Sequence, residues 1–416
     1  MKPELLCPVG GQRQLKAALR FGADAVYMGA RAYGLRAFAG NFDFEEMAKA
    51  ISLCHAAGVK AYITLNIFPF DDDLPGMLDT ALRLRDMGAD AAIVSDIGAL
   101  SMLNKKVPGL ELHLSTQANT MNAISAGIAH DLGAKRVILA REMSLERIKK
   151  LRKQLADDCQ IETFVHGAMC MSFSGRCVLS DYLTGRGANR GACAQPCRWQ
   201  YAVVEQKRPG QYMPVESDER GTYIFSSGDM RMLEHMPDLM DAGIDSLKVE
   251  GRMKNEYYVA TVARCYRRAI DLCEKHPEAF AQNTPEVQAL SAALNRVSHR
   301  RSDTGFFYGA PQPSGEADGF YQDAEFAAYV LEYDANDASA LVEVRNRMLM
   351  GDTLGAITPD DEFSFTLDRI ENPETGEKQD AARIGKSIVR INMPHAVSEG
   401  DMLFGQVRNH LRGSSC

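Results

Sequence analysis

The sequence predicts an α/β protein: a TIM-like (β/α)8 barrel with a cysteine-rich insertion after strand seven, followed by a small C-terminal antiparallel β-barrel. Two observations carry this prediction. A unit of helix, glycine and short apolar strand recurs along the N-terminal part, as in FGADAVYMGA from Phe21 and MGADAAIVSD from Met87. Eight such strands can be counted, which is the number that closes a barrel of this kind.

The eight predicted strands are apolar runs rich in Val, Ile, Leu and Ala, a composition typical of parallel strands that are buried on both faces. The glycine before each strand is suited to the left-handed backbone conformation in which a helix often ends. Strands that alternate with helical stretches indicate βαβ units. An open doubly wound sheet is the alternative, because eight strands alone do not prove closure. The predicted strands are residues 5–7, 25–27, 61–65, 92–94, 112–114, 137–139, 162–165 and 247–249.

Two of the intervening helices carry clear start signals. Asp43 precedes a helix predicted from Phe44 to Cys54, and Ser144 precedes another that begins at Leu145. Both side chains can accept a hydrogen bond from a backbone N–H that has no partner within the helix. We therefore predict that each residue is an N-cap.

Three parts are predicted along the chain. The barrel domain spans residues 1–275, with its cysteine-rich insertion at about 167–222. A connector spans 276–324, where proline, serine and glycine become more frequent. From residue 325 to 416 the sequence shows alternating runs broken by turn residues and no long helical period, which predicts the C-terminal β-barrel.

Two groups of cationic residues lie near the predicted junction of these parts. Arg264, Arg267 and Arg268 of the last barrel helix, predicted over residues 256–272, are interpreted as a solvated face. In the connector, the run from Arg300 to Tyr308 interleaves arginine with aromatic residues. Such a run suits phosphate and base contacts, but it would equally pin the connector to the barrel.

The composition sets bounds on the function. The chain has 416 residues, of which 45% are hydrophobic and 25% charged, as in ordinary globular proteins. No apolar run of about eighteen residues occurs, so no membrane span is predicted. No basic and apolar signal precedes Lys2, so a cytoplasmic location is expected. A net charge of −8 requires that any contact with RNA be local.

Four of the ten cysteines lie in a stretch between Glu162 and Trp199 that is rich in glycine and arginine: Cys170, Cys177, Cys193 and Cys197. Thiolates gathered on one loop usually indicate a metal centre. Zinc sites are commonly built from two closely spaced pairs, and only Cys193 and Cys197 approach that spacing. An iron–sulfur cluster is therefore favoured over zinc and over redox thiols, and a disulfide framework is not expected in a reducing compartment.

The cysteines also carry a resemblance. GAMCxxxxGxCxLS, which begins at Gly167, followed by CxxPCR, which begins at Cys193, resembles the collagenase-like U32 peptidase family, and the resemblance extends over essentially the whole chain. Length and the C-terminal β-barrel are most similar to the branch that helps to form 5-hydroxyuridine at the wobble position of tRNA. Other activities in the family are a collagenase-like peptidase and the hydroxylation of another RNA or of a quinone precursor.

The resemblance implies several properties that the residues alone do not. It implies a four-iron four-sulfur (4Fe-4S) cluster held by the four cysteines of the block. It also implies tRNA as the partner, and prephenate, a small organic acid, as the hydroxyl donor and co-substrate of an oxygen-independent hydroxylation.

The carboxyl ends of the predicted strands supply further candidate residues, because barrel enzymes carry their chemistry at that rim. Arginine suits carboxylates because its guanidinium can donate two parallel hydrogen bonds. Ion pairs within the set could equally be structural. The candidate catalytic residues are His166, Glu142, Lys248 and Glu250. The candidate substrate-binding residues are Arg141, Arg252, Asn66 and Gln117.

Two rival functions remain. A peptidase would need machinery of which the sequence gives no sign, since neither HExxH nor GxSxG occurs and the cysteines are crowded rather than set singly beside a histidine. A non-catalytic RNA-binding scaffold would have no need of convergent Arg, Lys, Glu and His at the rim. The sequence therefore favours an RNA-modifying enzyme.

Overall fold

The computed structural model describes residues 2–35, 41–170, 172–199, 217–218, 221–222, 228–309 and 320–407. Within them, eight parallel strands follow one another around a barrel, and the last strand pairs with both the first and the seventh. Each of the eight strands overlaps a predicted one. The alternative of an open sheet is wrong, because the pairing of the last strand with the first closes the barrel. The strands are β1 Glu4–Pro8, β2 Ala25–Gly29, β3 Lys60–Leu65, β4 Ala91–Val94, β5 Glu111–Leu114, β6 Ala134–Ile138, β7 Gln160–Ala168 and β8 Ser246–Val249.

Helices connect the barrel strands and continue into the connector. In the part of the chain that the structure describes, none is both long and apolar enough to cross a membrane. They are α1 Gln12–Arg20, α2 Phe44–Ala56, α3 Leu74–Asp86, α4 Ile97–Lys106, α5 Ala123–Asp131, α6 Leu145–Arg152, α7 Leu179–Thr184, α8 Met236–Asp241, α9 Glu256–Lys275, α10 Glu278–Ala281 and α11 Pro285–Leu294. Short 3-10 turns occupy Asp71–Asp73, Thr116–Ala118, Phe173–Gly175, Ala188–Arg190, Pro196–Arg198 and Leu233–His235.

Both predicted N-caps are confirmed. The Asp43 carboxylate accepts a hydrogen bond from the backbone N–H of Glu46 at 2.9 Å, and the Glu46 carboxylate accepts one from the N–H of Asp43 at 2.9 Å. This reciprocal pair is a capping box at the start of α2. Ser144 Oγ accepts a hydrogen bond from the N–H of Arg147 at 3.4 Å at the start of α6.

The cysteine-rich insertion follows β7, as predicted. The chain then returns through the strand Asp229–Arg231, which pairs antiparallel with the end of β7 and parallel with the connector strand Ser302–Asp303. Two further short strands, Ser217–Asp218 and Gly221–Thr222, pair with each other. The other positions of the predicted insertion (171, 200–216 and 219–220) lie outside the described residues, as do positions 223–227 that follow it.

The cationic and aromatic run of the connector fastens it to the barrel. Arg300 is buried, and its guanidinium forms an ion pair with Asp229, with Nη2 lying 2.8 Å from Oδ1. Phe307 is also buried, and its carbonyl accepts a hydrogen bond from the N–H of Leu145 at 3.0 Å. Of the two roles predicted for this run, pinning therefore applies to Arg300 and Phe307.

The C-terminal region forms a seven-stranded antiparallel sheet with the order β12-β11-β15-β9-β10-β14-β13. Its strands are β9 Ala324–Asp334, β10 Ser339–Val344, β11 Thr353–Ile357, β12 Glu362–Thr366, β13 Ile370–Glu371, β14 Ile388–Asn392 and β15 Met402–Gln406. Met348–Leu349 pairs separately with Ala381–Ala382. The two edge strands, β12 and β13, are joined by residues 367–369 alone. Because three residues span little distance, the sheet must curl until its edges approach, as in the predicted small barrel.

The C-terminal sheet packs against α9 and shares a hydrophobic core with the barrel. The ring of Tyr257 stacks on Phe326 with centroids 5.2 Å apart. Arg264 is buried and pairs with Glu362, with Nη1 lying 3.2 Å from Oε2. The predicted solvated face of α9 is therefore wrong for Arg264, because a domain that is distant in sequence covers it.

Candidate active site

The interior of the barrel holds a buried network of charged side chains. Glu162 accepts a hydrogen bond from Lys248 Nζ at 2.8 Å, and its other carboxylate oxygen lies 3.2 Å from Arg136 Nη1. Arg136 Nη1 also donates to Glu4 Oε1 at 2.6 Å. Burial lowers the pKa of Lys248, and the Glu162 carboxylate opposes that effect. The structure therefore places Lys248, a predicted catalytic residue, in an ion pair beneath the mouth.

A layer of cationic and aromatic side chains lies next to this network. Lys248 Nζ is 4.4 Å from the centroid of the Tyr27 ring, and the Arg141 guanidinium carbon is 3.7 Å from the centroid of the Phe164 ring. Arg141 also donates to Glu250 Oε2 at 3.3 Å and to the carbonyl of Ala168 at 2.8 Å. These contacts bring Arg141 and Glu250 together and fix the orientation of the guanidinium.

Arg252 extends from the end of β8 past β1 towards β2 and β3. Its Nη1 donates to Thr64 Oγ1 at 3.4 Å, and its Nη2 donates to Asn41 Oδ1. Glycine makes room for it, because a Cβ at Gly29 would lie 2.1 Å from Arg252 Nη2 and a Cβ at Gly10 would lie 2.1 Å from the Arg252 carbonyl oxygen. Sequence reasoning missed this pair of glycines, although each stands at or just after the end of a predicted strand.

An uncharged polar cluster completes the mouth on the side of β3, β4 and β5. Asn66 Nδ2 lies 3.5 Å from Gln117 Oε1, and Ser95 Oγ donates to the same oxygen at 3.1 Å. Asn66 Oδ1 accepts a hydrogen bond from the N–H of Leu35 at 3.3 Å. The two predicted substrate-binding amides are thus brought together. Ser95 was missed, although it follows β4 directly.

The structure does not bring His166 into the mouth. Its ring packs against α9, with its centroid 5.4 Å from that of Tyr266, and burial lowers the pKa of the imidazole to about 3. The physical reason is a register shift between β7 and β8, which pairs Val249 with His166 after pairing Lys248 with Phe164. A bulge of this kind re-aims the next side chain, so His166 does not share the inward direction of Phe164.

Glu142, another predicted catalytic residue, holds the cysteine loop. One carboxylate oxygen accepts a hydrogen bond from the backbone N–H of Ser174 at 2.6 Å, and the other accepts one from its hydroxyl at 2.6 Å. Next to this anchor, Arg176 Nε donates to the carbonyl of Gln117 at 2.8 Å. This half of the loop is therefore fastened to the residues that follow β5 and β6.

The other half of the loop is fastened on the opposite side of the mouth. Arg190 forms a two-pronged ion pair with Asp73, with distances of 2.8 and 3.1 Å. Gly191 has a φ of 89°, and a Cβ there would lie 2.7 Å from the carbonyl oxygen of Gly34. Anchors beyond β2, β3, β5 and β6 together place the loop across the barrel mouth.

The four cysteines lie on this loop, three of them half-buried and Cys170 exposed. Cys177 Sγ accepts a hydrogen bond from the N–H of Leu179 at 3.4 Å, and Cys193 Sγ accepts one from the N–H of Gln195 at 3.3 Å. The buried hydroxyl of Ser180 accepts a hydrogen bond from the N–H of Ala194 at 2.9 Å and donates one to the carbonyl of Arg186 at 2.7 Å. These two bonds tie the two cysteine-bearing segments together.

These donors suit a cluster by their chemistry. Among the described side chains, no group of three from His, Cys, Asp and Glu is arranged to hold a single metal ion. A four-iron cluster is held by four thiolates that are distributed over its irons. Four thiols on one tied loop, two of them receiving backbone N–H groups, fit such a donor set.

Comparison with known proteins gives the family. The profile of peptidase family U32 matches residues 10–317, and that of the family's C-terminal domain matches residues 322–403. The chain is 36% identical over 406 residues to a tRNA hydroxylation protein of Bacillus subtilis, covering 97% of this chain and 94% of the relative. It is 35% identical over 419 residues to a tRNA hydroxylation protein of Escherichia coli, covering 89% of each. It is also 35% identical over 319 residues to a protein of Porphyromonas gingivalis named collagenase, covering 74% of this chain and 73% of that one. The resemblance in the cysteine block is thus confirmed, and the chain belongs to peptidase family U32.

Proposed function

We propose that this protein is a tRNA-modifying hydroxylase that forms 5-hydroxyuridine at the wobble position, with prephenate as the hydroxyl donor and a 4Fe-4S cluster on the cysteine loop. The observation that carries the proposal is a barrel mouth lined by two oriented arginines, Arg141 and Arg252, beneath a loop with four cysteines. Relatives that are named for tRNA hydroxylation and match nearly the whole chain support the hydroxylation of tRNA.

A small organic acid suits this mouth electrostatically. Taking a carboxylate out of water is costly unless charge-assisted donors replace its hydration. Arg252 is 4% exposed, and its position is fixed by Thr64 and Asn41. Phe164, which is buried beside Arg141, offers an apolar wall for the ring of the acid. We assign Arg252 and Arg141 to the carboxylates of prephenate, and Asn66 and Gln117 to its polar groups.

When bound to Cys170, Cys177, Cys193 and Cys197, the cluster would supply electron-transfer or Lewis-acid chemistry at the mouth. The other roles belong to side chains of the barrel. Glu142 holds the loop in place over the mouth through Ser174. Glu250 keeps Arg141 in place and so orients a donor for the bound acid.

Peptide hydrolysis is the alternative, because one relative is named collagenase. A nucleophilic serine or cysteine needs a base within about 3 Å. His166, which lies near the end of the seventh strand, packs against Tyr266 of α9 instead. The described mouth offers guanidinium and amide groups, which favour binding of an anion. Hydroxylation of another RNA or of a quinone precursor is the second alternative.

The test of the proposed reaction is a comparison of nucleosides from bulk tRNA, measured by mass spectrometry, in cells with and without this gene. We expect 5-hydroxyuridine and nucleosides derived from it to disappear without the gene and to return on complementation. Unchanged tRNA nucleosides would exclude the proposal. A change confined to ribosomal RNA or to quinones would favour the second alternative.

Replacement of Arg252 by alanine is expected to weaken the use of the donor. Loss of a charge-assisted contact to a carboxylate costs on the order of 2 kcal/mol, so the variant should need at least about thirty-fold more prephenate for half-maximal hydroxylation. The measurement is the rate of tRNA modification at increasing prephenate. Arg252→Lys should recover part of the loss, because it keeps the charge without the two-pronged geometry.

Arg147→Ala is the matched control for that experiment, since Arg147 is an exposed arginine of α6. It should need the same prephenate concentration as the unchanged protein. If Arg252→Ala remains folded by thermal unfolding and also needs no more donor, the acid binds elsewhere.

A further inference from the structure

The outer side of the cysteine loop exposes large aromatic side chains. Tyr182 of α7 is 86% exposed, and Trp199 is 42% exposed. Phe70, which follows β3, is 68% exposed and lies under the guanidinium of Arg190, whose carbon is 4.8 Å from the ring centroid. We call Phe70, Tyr182 and Trp199 the aromatic patch. Large apolar side chains exposed together usually mark a binding surface.

The members of the aromatic patch are neighbours. α7, which carries Tyr182, packs beside the turns Ala188–Arg190 and Pro196–Arg198. The second of these turns leads directly into Trp199, and the first contains Arg190, which lies against Phe70. The three aromatic residues therefore lie on or near one short helix of the cysteine loop.

Two members of the patch, Tyr182 and Trp199, lie in a segment that is positive, although the whole chain is negative. Phe70 lies outside that segment and is followed by three aspartates, of which Asp73 pairs with Arg190. Residues 170–199 contain four arginines and one aspartate, so their net charge is +3 in a chain of −8. Arg186 is held by its Nε, which donates to the carbonyl of Ala192 at 3.1 Å, and Arg190 is held by Asp73. A local positive surface of this kind suits a phosphate backbone, and its charge is complementary to that of RNA.

The backbone beneath the rings is fixed before any partner binds. Ser180 joins Arg186 and Ala194 through its buried hydroxyl, and Arg190 is clamped by Asp73. A rigid platform with exposed rings loses little conformational entropy on binding. Bases of an unpaired strand stack on such rings, whereas a duplex keeps its bases stacked on each other.

We propose that the aromatic patch binds an unpaired stretch of the RNA substrate, with bases stacked on Tyr182 and Trp199 and phosphates against Arg186 and Arg190. The inference rests on the proposed function in so far as the substrate is RNA, and it adds the place and the mode of binding. The loop that carries the patch lies across the barrel mouth, so RNA bound to the patch would be held beside the mouth. The connector run predicted to hold RNA is a weaker candidate, because Arg300 and Phe307 are buried.

The probe is a single-stranded oligouridylate of about ten nucleotides that carries a fluorescent label at one end. Its anisotropy reports binding, the comparison is a labelled duplex of the same length, and prephenate is left out. We expect the single strand to bind and the duplex to bind more weakly. Tyr182→Ala should weaken single-strand binding by at least about five-fold, because one stacked base contributes roughly 1–3 kcal/mol.

Three variants sharpen the test. Tyr182→Phe keeps a ring and should bind as tightly as the unchanged protein. Arg186→Ala should lower the slope of log Kd against log salt by about 0.7, the amount for one phosphate contact on a single strand. Tyr321→Ala removes a tyrosine that is 47% exposed and lies outside the loop, and it should bind normally.

Equal affinity of Tyr182→Ala and the unchanged protein for the single strand, or no binding of the single strand to the unchanged protein, would overturn the inference. The patch would then be left to a protein partner. The result is separable from the proposed reaction because binding is measured without donor. Gene-dependent hydroxylation with normal binding by Tyr182→Ala would overturn the docking surface alone. Patch-dependent binding without gene-dependent hydroxylation would overturn the reaction alone.

Discussion

Protein purified without oxygen is expected to be brown and to contain about four irons and four sulfides per chain, and Cys193→Ser is expected to lose both the colour and tRNA hydroxylation. The sulfur of Cys193 accepts a hydrogen bond from the backbone N–H of Gln195 at 3.3 Å, which fixes its position on the loop. A serine hydroxyl is a poor substitute because it is a harder and far less acidic ligand than a thiol. Iron and sulfide assays with the visible absorption spectrum measure the outcome.

Cys159→Ala is the matched control. Cys159 is a buried thiol that precedes β7, on the far side of the barrel from the loop, and burial raises its pKa. This variant should keep its cluster and its activity. A colourless protein that holds one zinc would contradict the cluster, as would a Cys193→Ser protein with unchanged iron and sulfide.

The barrel could be predicted from sequence because its signals are local. Each strand is a short apolar run, and the caps Asp43 and Ser144 act on residues three positions ahead. The cysteine loop was equally accessible, because its four thiols lie within one stretch of chain. The ends of the predicted strands placed Arg141, Arg252, Asn66 and Gln117 at the barrel mouth, and the structure has them there.

The direction of individual side chains could not be predicted in the same way. The direction of His166 depends on a bulge in the pairing of β7 with β8, and no local sequence pattern predicts that bulge. Glu142 binds Ser174, which lies 32 positions further along the chain. Arg264 is covered by Glu362 of a different domain. In each case a contact between distant parts of the chain decides whether a polar residue serves the chemistry or the scaffold.

The charged network inside the barrel is such a scaffold. Glu162 is fully buried and lies between Lys248 and Arg136, while Glu4 supplies the second carboxylate of the network, also paired with Arg136. The OH of Tyr62 donates to Glu4 at 2.7 Å. Burial opposes ionisation of Glu4, but the Arg136 guanidinium holds the pKa of that carboxyl below its ordinary value. Two carboxylates and two cations are therefore mutually compensated in a site with little access to water.

Glu162→Gln is expected to reduce the free energy of unfolding by about 3–5 kcal/mol, because it leaves a buried positive charge without compensation. The urea midpoint of unfolding measures the effect. The control is Glu146→Gln on α6, which breaks the exposed ion pair of Glu146 with Lys150, whose Oε1 and Nζ are 2.5 Å apart. Solvent screens that pair, so its urea midpoint should not change measurably. Equal midpoints for Glu162→Gln and Glu146→Gln would mean that the interior network does not stabilise the barrel, and that Lys248 needs no charged partner beneath the mouth.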